Sequence, residues 1–85
     1  MSPLTKNTSI GSLLRYSFDS ASDGTQHIIV TQLTGFVHFL NNDVASAKLL
    51  CLFVNYNSSV WKIGDIKEVS IPHGAWEVIK GVRPD

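Results

Sequence analysis

Ala47-Lys48-Leu49-Leu50-Cys51-Leu52-Phe53-Val54-Asn55-Tyr56 contains the longest unbroken apolar run of the chain, Leu49 to Val54, and any fold has to bury it. In a strand, successive side chains point to opposite faces, which predicts Leu49, Cys51 and Phe53 on one face and Leu50, Leu52 and Val54 on the other. In a helix, six consecutive apolar residues would cover the whole circumference, and an 85-residue chain has too little material to wrap a helix on all sides. A strand is the preferred reading, and an α+β fold with a helix at 44–54 is the alternative. Either way the run needs cover on both sides. One layer of so short a chain supplies one side, and the other has to come from barrel closure or a second subunit.

Upstream of the run, Asn41-Asn42-Asp43 breaks the apolar pattern, and Asn42 or Asp43 is suited to cap a short helix near 43–47. His27–Leu33 and Phe36–Leu40 are rich in β-branched and aromatic residues and are separated by Thr34-Gly35. That dipeptide reads either as a two-residue turn, pairing Thr31 with His38 and Ile29 with Leu40, or as a bulge in one continuous strand. Earlier still, Leu14, Tyr16 and Phe18 alternate with Arg15 and Ser17, the period of a half-buried strand, and Asp19–Thr25 is a turn-forming cluster in which Asp23-Gly24 suits positive φ. A β-hairpin follows.

Downstream, Val60–Ile63 and Ile66–Ile71 flank Gly64-Asp65, which predicts a tight hairpin with Val60 opposite Val69, Trp61 opposite Glu68 and Lys62 opposite Lys67. Pro72-His73-Gly74 reads as a turn, and Ala75–Lys80 as a last strand with Trp76 and Val78 on one face. The sum is an all-β protein, a small antiparallel barrel or curved sheet of five to seven strands. Its organisation reads as a flexible N-terminal segment at 1–9, a single compact β domain at 10–82 and a tail at 83–85.

Composition narrows the function classes. Charged residues make up 16% of the chain, below the ~25% of an average soluble domain, while hydrophobic residues make up 44%. A self-association surface would explain the imbalance. Seven Lys and Arg balance seven Asp and Glu, so there is no long-range attraction for nucleic acid or an anionic membrane. No Asp, Glu, Lys or Arg lies between Asp23 and Asp43, yet polar residues such as Gln26, His27, Thr31, Gln32 and His38 recur too often for a membrane span. A single cysteine, Cys51, excludes an internal disulfide and any multi-cysteine zinc site, and among leucines it reads as a buried thiol. With no secretory or lipidation pattern at the start, a reducing, cytoplasmic location is expected.

Catalytic and metal chemistry find little purchase. His27, His38 and His73 show no metal-ligand spacing, and the two-residue-turn register would set His27 and His38 ~13 Å apart, too far for one ion. No G-x-S-x-G elbow is present, and Ile10-Gly11-Ser12 falls far short of a phosphate-binding loop. No catalytic residue, metal ligand or cofactor is therefore assigned. The expected function is a non-catalytic protein–protein interaction module that self-associates, with Trp61, Trp76, Phe53 and Tyr56 as candidate interface residues. A single-stranded RNA or DNA binder is the alternative, through Arg15, Tyr56, Trp61, Lys62 and Lys67, because two lysines opposed across a hairpin beside aromatic rings suit phosphates and stacked bases. A small oligomeric enzyme with sites between subunits is a distant third.

Overall fold

The computed structural model describes residues 2–71 and 76–81. These residues form β1 (Ser2–Pro3), β2 (Leu13–Asp19), β3 (Gln26–Leu40), β4 (Asp43–Val54), β5 (Ile66–Ser70) and β6 (Glu77–Lys80). All pairings are antiparallel in one sheet of order β1-β6-β2-β3-β4-β5. The two end strands do not pair with each other, so the sheet is curved and open and not a closed barrel. Among the described residues there is no helix, and so none long and apolar enough to cross a membrane.

The β3–β4 hairpin dominates the architecture, and its turn explains why no helix forms after it. Asn41 and Asn42 take φ of 52° and 69°, left-handed values that Asn tolerates better than most residues. Two such residues in succession make the tight primed turn that matches strand twist, and Leu40 lies opposite Asp43. Asp43 is thereby the first residue of a ladder. The helix expected near 43–47 and the α+β alternative with a helix at 44–54 are both replaced by β4, which has β3 on one side and β5 on the other.

Strand β3 runs unbroken through Thr34-Gly35, so of the two readings of that dipeptide the bulge holds: Leu33 pairs with Leu49 and Gly35 with Lys48, leaving Thr34 extra. The Thr34 hydroxyl donates to the Lys48 carbonyl at 2.7 Å, which gives the extra residue a partner across the irregularity. The β2–β3 hairpin forms as the alternation predicts, with Phe18 opposite His27 and Leu14 opposite Thr31. Its loop holds Gly24 at φ 72°, and the Asp23 carboxylate accepts the Thr25 amide at 2.9 Å.

One face of the sheet carries the core. Leu14, Ile29, Leu33, Val44, Ala47, Leu49 and Trp76 are buried and packed together, with Tyr16, Phe36, Val54, Tyr56, Trp61, Val69 and Val78 against them. A fully buried Leu of this kind contributes ~1.5–3 kcal/mol relative to an exposed one. Trp76 and Val78 share this face as predicted, whereas Ala75, the Pro72-His73-Gly74 turn and the tail at 83–85 lie outside the described residues. The segment before β2, read from composition as a frayed terminus, joins the sheet in part. Ser2 and Pro3 pair with Val78 and Glu77, and the Leu4 amide donates to the Trp76 carbonyl at 3.1 Å.

The predicted hairpin at Gly64-Asp65 does not form. Val60–Ile63 is not a strand, and Ile66–Ser70 pairs with β4, setting Val69 opposite Ala47, Glu68 opposite Lys48 and Lys67 opposite Leu49. Locally, the Ser58 hydroxyl accepts the amides of both Val60 and Trp61, at 3.1 and 2.9 Å, diverting donors that a ladder would need. The Gly64 amide then donates to the Cys51 carbonyl at 2.8 Å, folding this segment back over β4.

Candidate interaction surface

The register of β4 against β3 fixes which side chains face away from the core. Leu33 pairs with Leu49, Gln32 with Leu50 and Thr31 with Cys51, but Val30 pairs with Phe53, so Leu52 is an extra residue. In such a bulge two residues oppose one, and the alternation downstream is inverted. Phe53 consequently shares the outer face with Val30, and Val54, opposite Ile29, packs against the core. The simple alternation placed Phe53 with Leu49 and Cys51. The bulge moves it to the opposite side.

Ladder partners point to the same face, which extends this outer surface across the sheet. Gln32 neighbours Leu13 of β2, Leu50 neighbours Ile66 of β5, and Val30 neighbours Arg15. Leu13, Val30, Leu50, Leu52, Phe53 and Ile66 therefore occupy adjoining positions on strands β2 to β5. Phe53, Leu52 and Ile66 are 48%, 40% and 62% exposed, and no described element covers them. Charged pairs border the patch at two sides. Arg15 meets Glu77 at 3.4 Å, and Lys48 lies directly opposite Glu68. An apolar patch rimmed by polar groups is the usual form of a protein interaction site.

Of the four candidate interface residues, only Phe53 belongs to this surface. Trp76 is 3% exposed and is a core residue. Trp61 lies edge-to-face with it at 5.7 Å, and Tyr56 stacks on His27 at 4.2 Å, both on the core side. There, Tyr16, Phe18, Tyr56, Trp61 and Trp76 line a cleft of about 260 Å³. Leu50 and Leu52 lie on the face that the alternation set opposite Leu49, whereas nothing in the sequence points to Leu13, Val30 or Ile66. Ile66 in particular alternates with Glu68 and Ser70 on one face of β5 while Lys67 and Val69 take the other, a signal legible once β5 is paired with β4.

The residues of the nucleic-acid reading are divided between the two faces. Lys62 and Lys67 line one small cavity of about 180 Å³ with Trp61, but Asp65 lines it as well and offsets part of their charge. Arg15 sits on the outer face beside Glu77, across the sheet from Tyr56. The expected opposition of Lys62 to Lys67 in a ladder is absent, since Lys67 faces Leu49.

The remaining titratable groups are scattered. His27 and His38 stand eleven residues apart on the single strand β3, ~36 Å along it at 3.3 Å per residue, and His73 lies outside the described residues. Among the described residues, no three of His, Cys, Asp and Glu gather in one place. Burial pushes the Cys51 thiol above its ordinary value, the state of an unreactive structural cysteine. A depression of about 350 Å³ between the N-terminal segment and the β3–β4 turn is lined in part by Leu4, Leu40, Val44 and Ile71 and has Asp43 at its wall. No protein family, curated protein or solved structure matches this chain.

Proposed function

We propose that this protein is a non-catalytic protein–protein interaction module whose working surface is the outer face of the sheet. The observation that carries the reading is the placement of Leu13, Val30, Leu50, Leu52, Phe53 and Ile66 on one face of an open sheet, with Phe53 and Ile66 exposed. A run apolar on both faces needs cover on both, and the described strands do not close into a barrel that would supply it. Exposed Phe and Ile side chains within one apolar patch, with charges at its border, match the arrangement of an apolar interface patch inside a polar rim.

The nucleic-acid reading draws less support, because its cations and rings do not converge on one surface and Asp65 stands among them. Catalysis draws none from the arrangement of the described side chains.

Affinity capture from the native host with wild-type protein and with Phe53→Lys and Ile66→Lys baits tests the reading. The wild type is expected to retain a protein partner that both variants lose, with the circular dichroism of all three superimposable. Capture of the same proteins by the folded variants would contradict it. In parallel, a labelled oligonucleotide pool at low salt is expected to show no retention; salt-sensitive binding weakened by Lys62→Ala and Lys67→Ala would favour the nucleic-acid reading instead.

A further inference from the structure

We infer that the core side of the sheet carries a binding site for a cholinephosphate group, with the trimethylammonium in the aromatic cleft and the phosphate toward Lys62 and Lys67. The site lies across the sheet from the proposed interaction surface, and neither reading depends on the other.

The cleft is walled by an arc of rings. Tyr16 and Phe18 stand two residues apart on β2 and so share its inner face, where Ile29 is the cross-strand partner of Tyr16. Tyr56 meets Phe18 at 5.7 Å, Phe18 meets Tyr16 at 5.7 Å, Tyr16 meets Trp76 at 5.3 Å and Trp76 meets Trp61 at 5.7 Å. The two ends of the arc, Tyr56 and Trp61, come from one segment between β4 and β5, which brings them round the cleft of about 260 Å³ that all five rings line. Neighbouring rings are inclined by 85°, 57°, 48° and 62° in that order. Parallel rings would leave a slot for a flat molecule, whereas inclined ones wall a rounded space.

The lining selects the kind of cation. Aromatic rings attract positive charge through their quadrupole, and quaternary ammonium groups are the ligands that such walls suit best. The other contributors, Ile29, Val69 and Ser70, carry no charge, so no carboxylate among the described residues lines the cleft. A primary ammonium would bring three N–H donors into a site with no anion to receive them. A trimethylammonium group has no N–H to satisfy.

The phosphate follows from the adjoining cavity. Trp61 lines both spaces, and the second also holds Lys62, Lys67 and Asp65, two cations and one carboxylate that leave one net positive charge. Lys67 stands two residues from Val69 on the same face of β5, ~7 Å along the strand. A neutral aromatic cleft beside a singly positive cavity complements a zwitterion of that size and polarity.

The rings at the ends of the arc are held in advance. The Asn55 side chain donates to the Gln26 carbonyl at 3.2 Å and accepts the Ile28 amide at 2.8 Å, anchoring the chain beside Tyr56, which stacks on His27. The Ser58 hydroxyl accepts the Trp61 amide. Such groups lose little freedom when a ligand enters. Phe18 remains 37% exposed, so the cleft offers ring surface to solvent.

Nuclear magnetic resonance titration of the labelled full chain, followed at the indole N–H signals of Trp61 and Trp76, tests the inference. The probes are phosphocholine, choline, ethanolamine and the uncharged analogue of choline in which carbon replaces nitrogen. Saturable shifts are expected with phosphocholine and choline, phosphocholine binding the tighter, and at least about 5-fold weaker binding of ethanolamine and of the uncharged analogue. Phe18→Leu and Tyr56→Leu should each weaken choline and phosphocholine about 5-fold, with Tyr56→Phe restoring both. Lys67→Ala should weaken phosphocholine and leave choline unchanged. Circular dichroism identifies the folded variants, and two ring positions keep the test decisive should one fail to fold. No saturable shift, equal binding of the uncharged analogue, or folded leucine variants that bind as the wild type does would overturn the inference. Phosphocholine binding that is no tighter than choline and indifferent to Lys67→Ala would overturn the assignment of the phosphate. Sedimentation with phosphatidylcholine vesicles separates the sources: retention assigns a lipid headgroup and binding of free phosphocholine alone assigns a soluble ligand, and either result supports the site.

Discussion

Phe53 stands opposite Val30 on the outer face of the sheet, although Cys51, two residues before it, stands opposite Thr31 on the inner one. That displacement, made by the extra residue Leu52, converts a core position into a surface one and brings Val54 in beside the core in its place. The apolar run is thereby shared between two faces more unevenly than strict alternation would share it. Leu49, Cys51 and Val54 serve the chain's own core, while Leu50, Leu52 and Phe53 are presented outward.

The two tryptophans are expected to behave differently. Trp76 is almost fully buried between Tyr16 and Trp61, at ring separations of 5.3 and 5.7 Å, so Trp76→Ala should cost about 3–5 kcal/mol in urea unfolding. Trp61 is only partly buried, and Trp61→Ala should cost less than half as much. In a Trp76-only protein, made with Trp61→Phe, fluorescence should be blue-shifted and resistant to iodide; in a Trp76→Phe protein the remaining indole should be quenched.

Thr31 offers a stabilising substitution. Its side chain is fully buried opposite Cys51 and Leu14, and its hydroxyl has no hydrogen-bond partner among the described residues. An unsatisfied buried hydroxyl costs ~1–3 kcal/mol, and Thr31→Val removes it while keeping the β-branched shape that the strand favours. The variant should be more stable than the wild type by about 1 kcal/mol, read from the midpoint of urea unfolding at unchanged slope.

The β3–β4 turn depends on Asn42 tolerating φ 69°. A β-branched residue there should destabilise the protein by about 1–2 kcal/mol, the cost of the left-handed conformation, so Asn42→Val is expected to lower the melting temperature. Asn42→Gly, which adopts that conformation freely, should leave it unchanged or raise it.

Asp23 gives the β2–β3 loop a pH dependence. The hydrogen bond from the Thr25 backbone amide holds its carboxyl below the ordinary carboxylate range, with the Thr25 and Ser20 side chains and the nearby His27 acting in the same direction. Because the folded value is depressed, the carboxylate's contribution is fully present above the unfolded value of about 3.9 and is lost as pH falls through the lower folded value. The amide resonance of Thr25 should titrate with Asp23 below about pH 3.9 and stop doing so in Asp23→Ala. A midpoint at or above 3.9 would contradict this.

The strands themselves were legible where side-chain chemistry is periodic. Leu14-Tyr16-Phe18 and the β-branched run after His27 specify β2 and the first half of β3, and the argument that Leu49–Val54 cannot be a wrapped helix in so short a chain leads directly to β4. Registry was not legible. Bulges at Thr34, Val37, Ala45 and Leu52 each add a residue that no composition rule marks, and one added residue exchanges the faces of everything beyond it. Asn42 reads as a helix cap from sequence because Asn serves helix caps and left-handed turns alike, and only the partner strand decides between them. The interface candidates followed the same pattern. Trp61, Trp76 and Tyr56 draw notice as aromatic residues, whereas Ile66 acquires its position only from the pairing of β5, and Phe53 its outward one only from the bulge.

The most direct test of the outer face as the interaction surface is affinity capture from the native host with the wild type, the outer-face variants Phe53→Lys and Ile66→Lys, and Leu40→Lys at the β3–β4 turn as the control. The account predicts a protein partner retained by the wild type and by Leu40→Lys and lost by both outer-face variants, with circular dichroism unchanged. Retention of the same partner by the folded outer-face variants would contradict it.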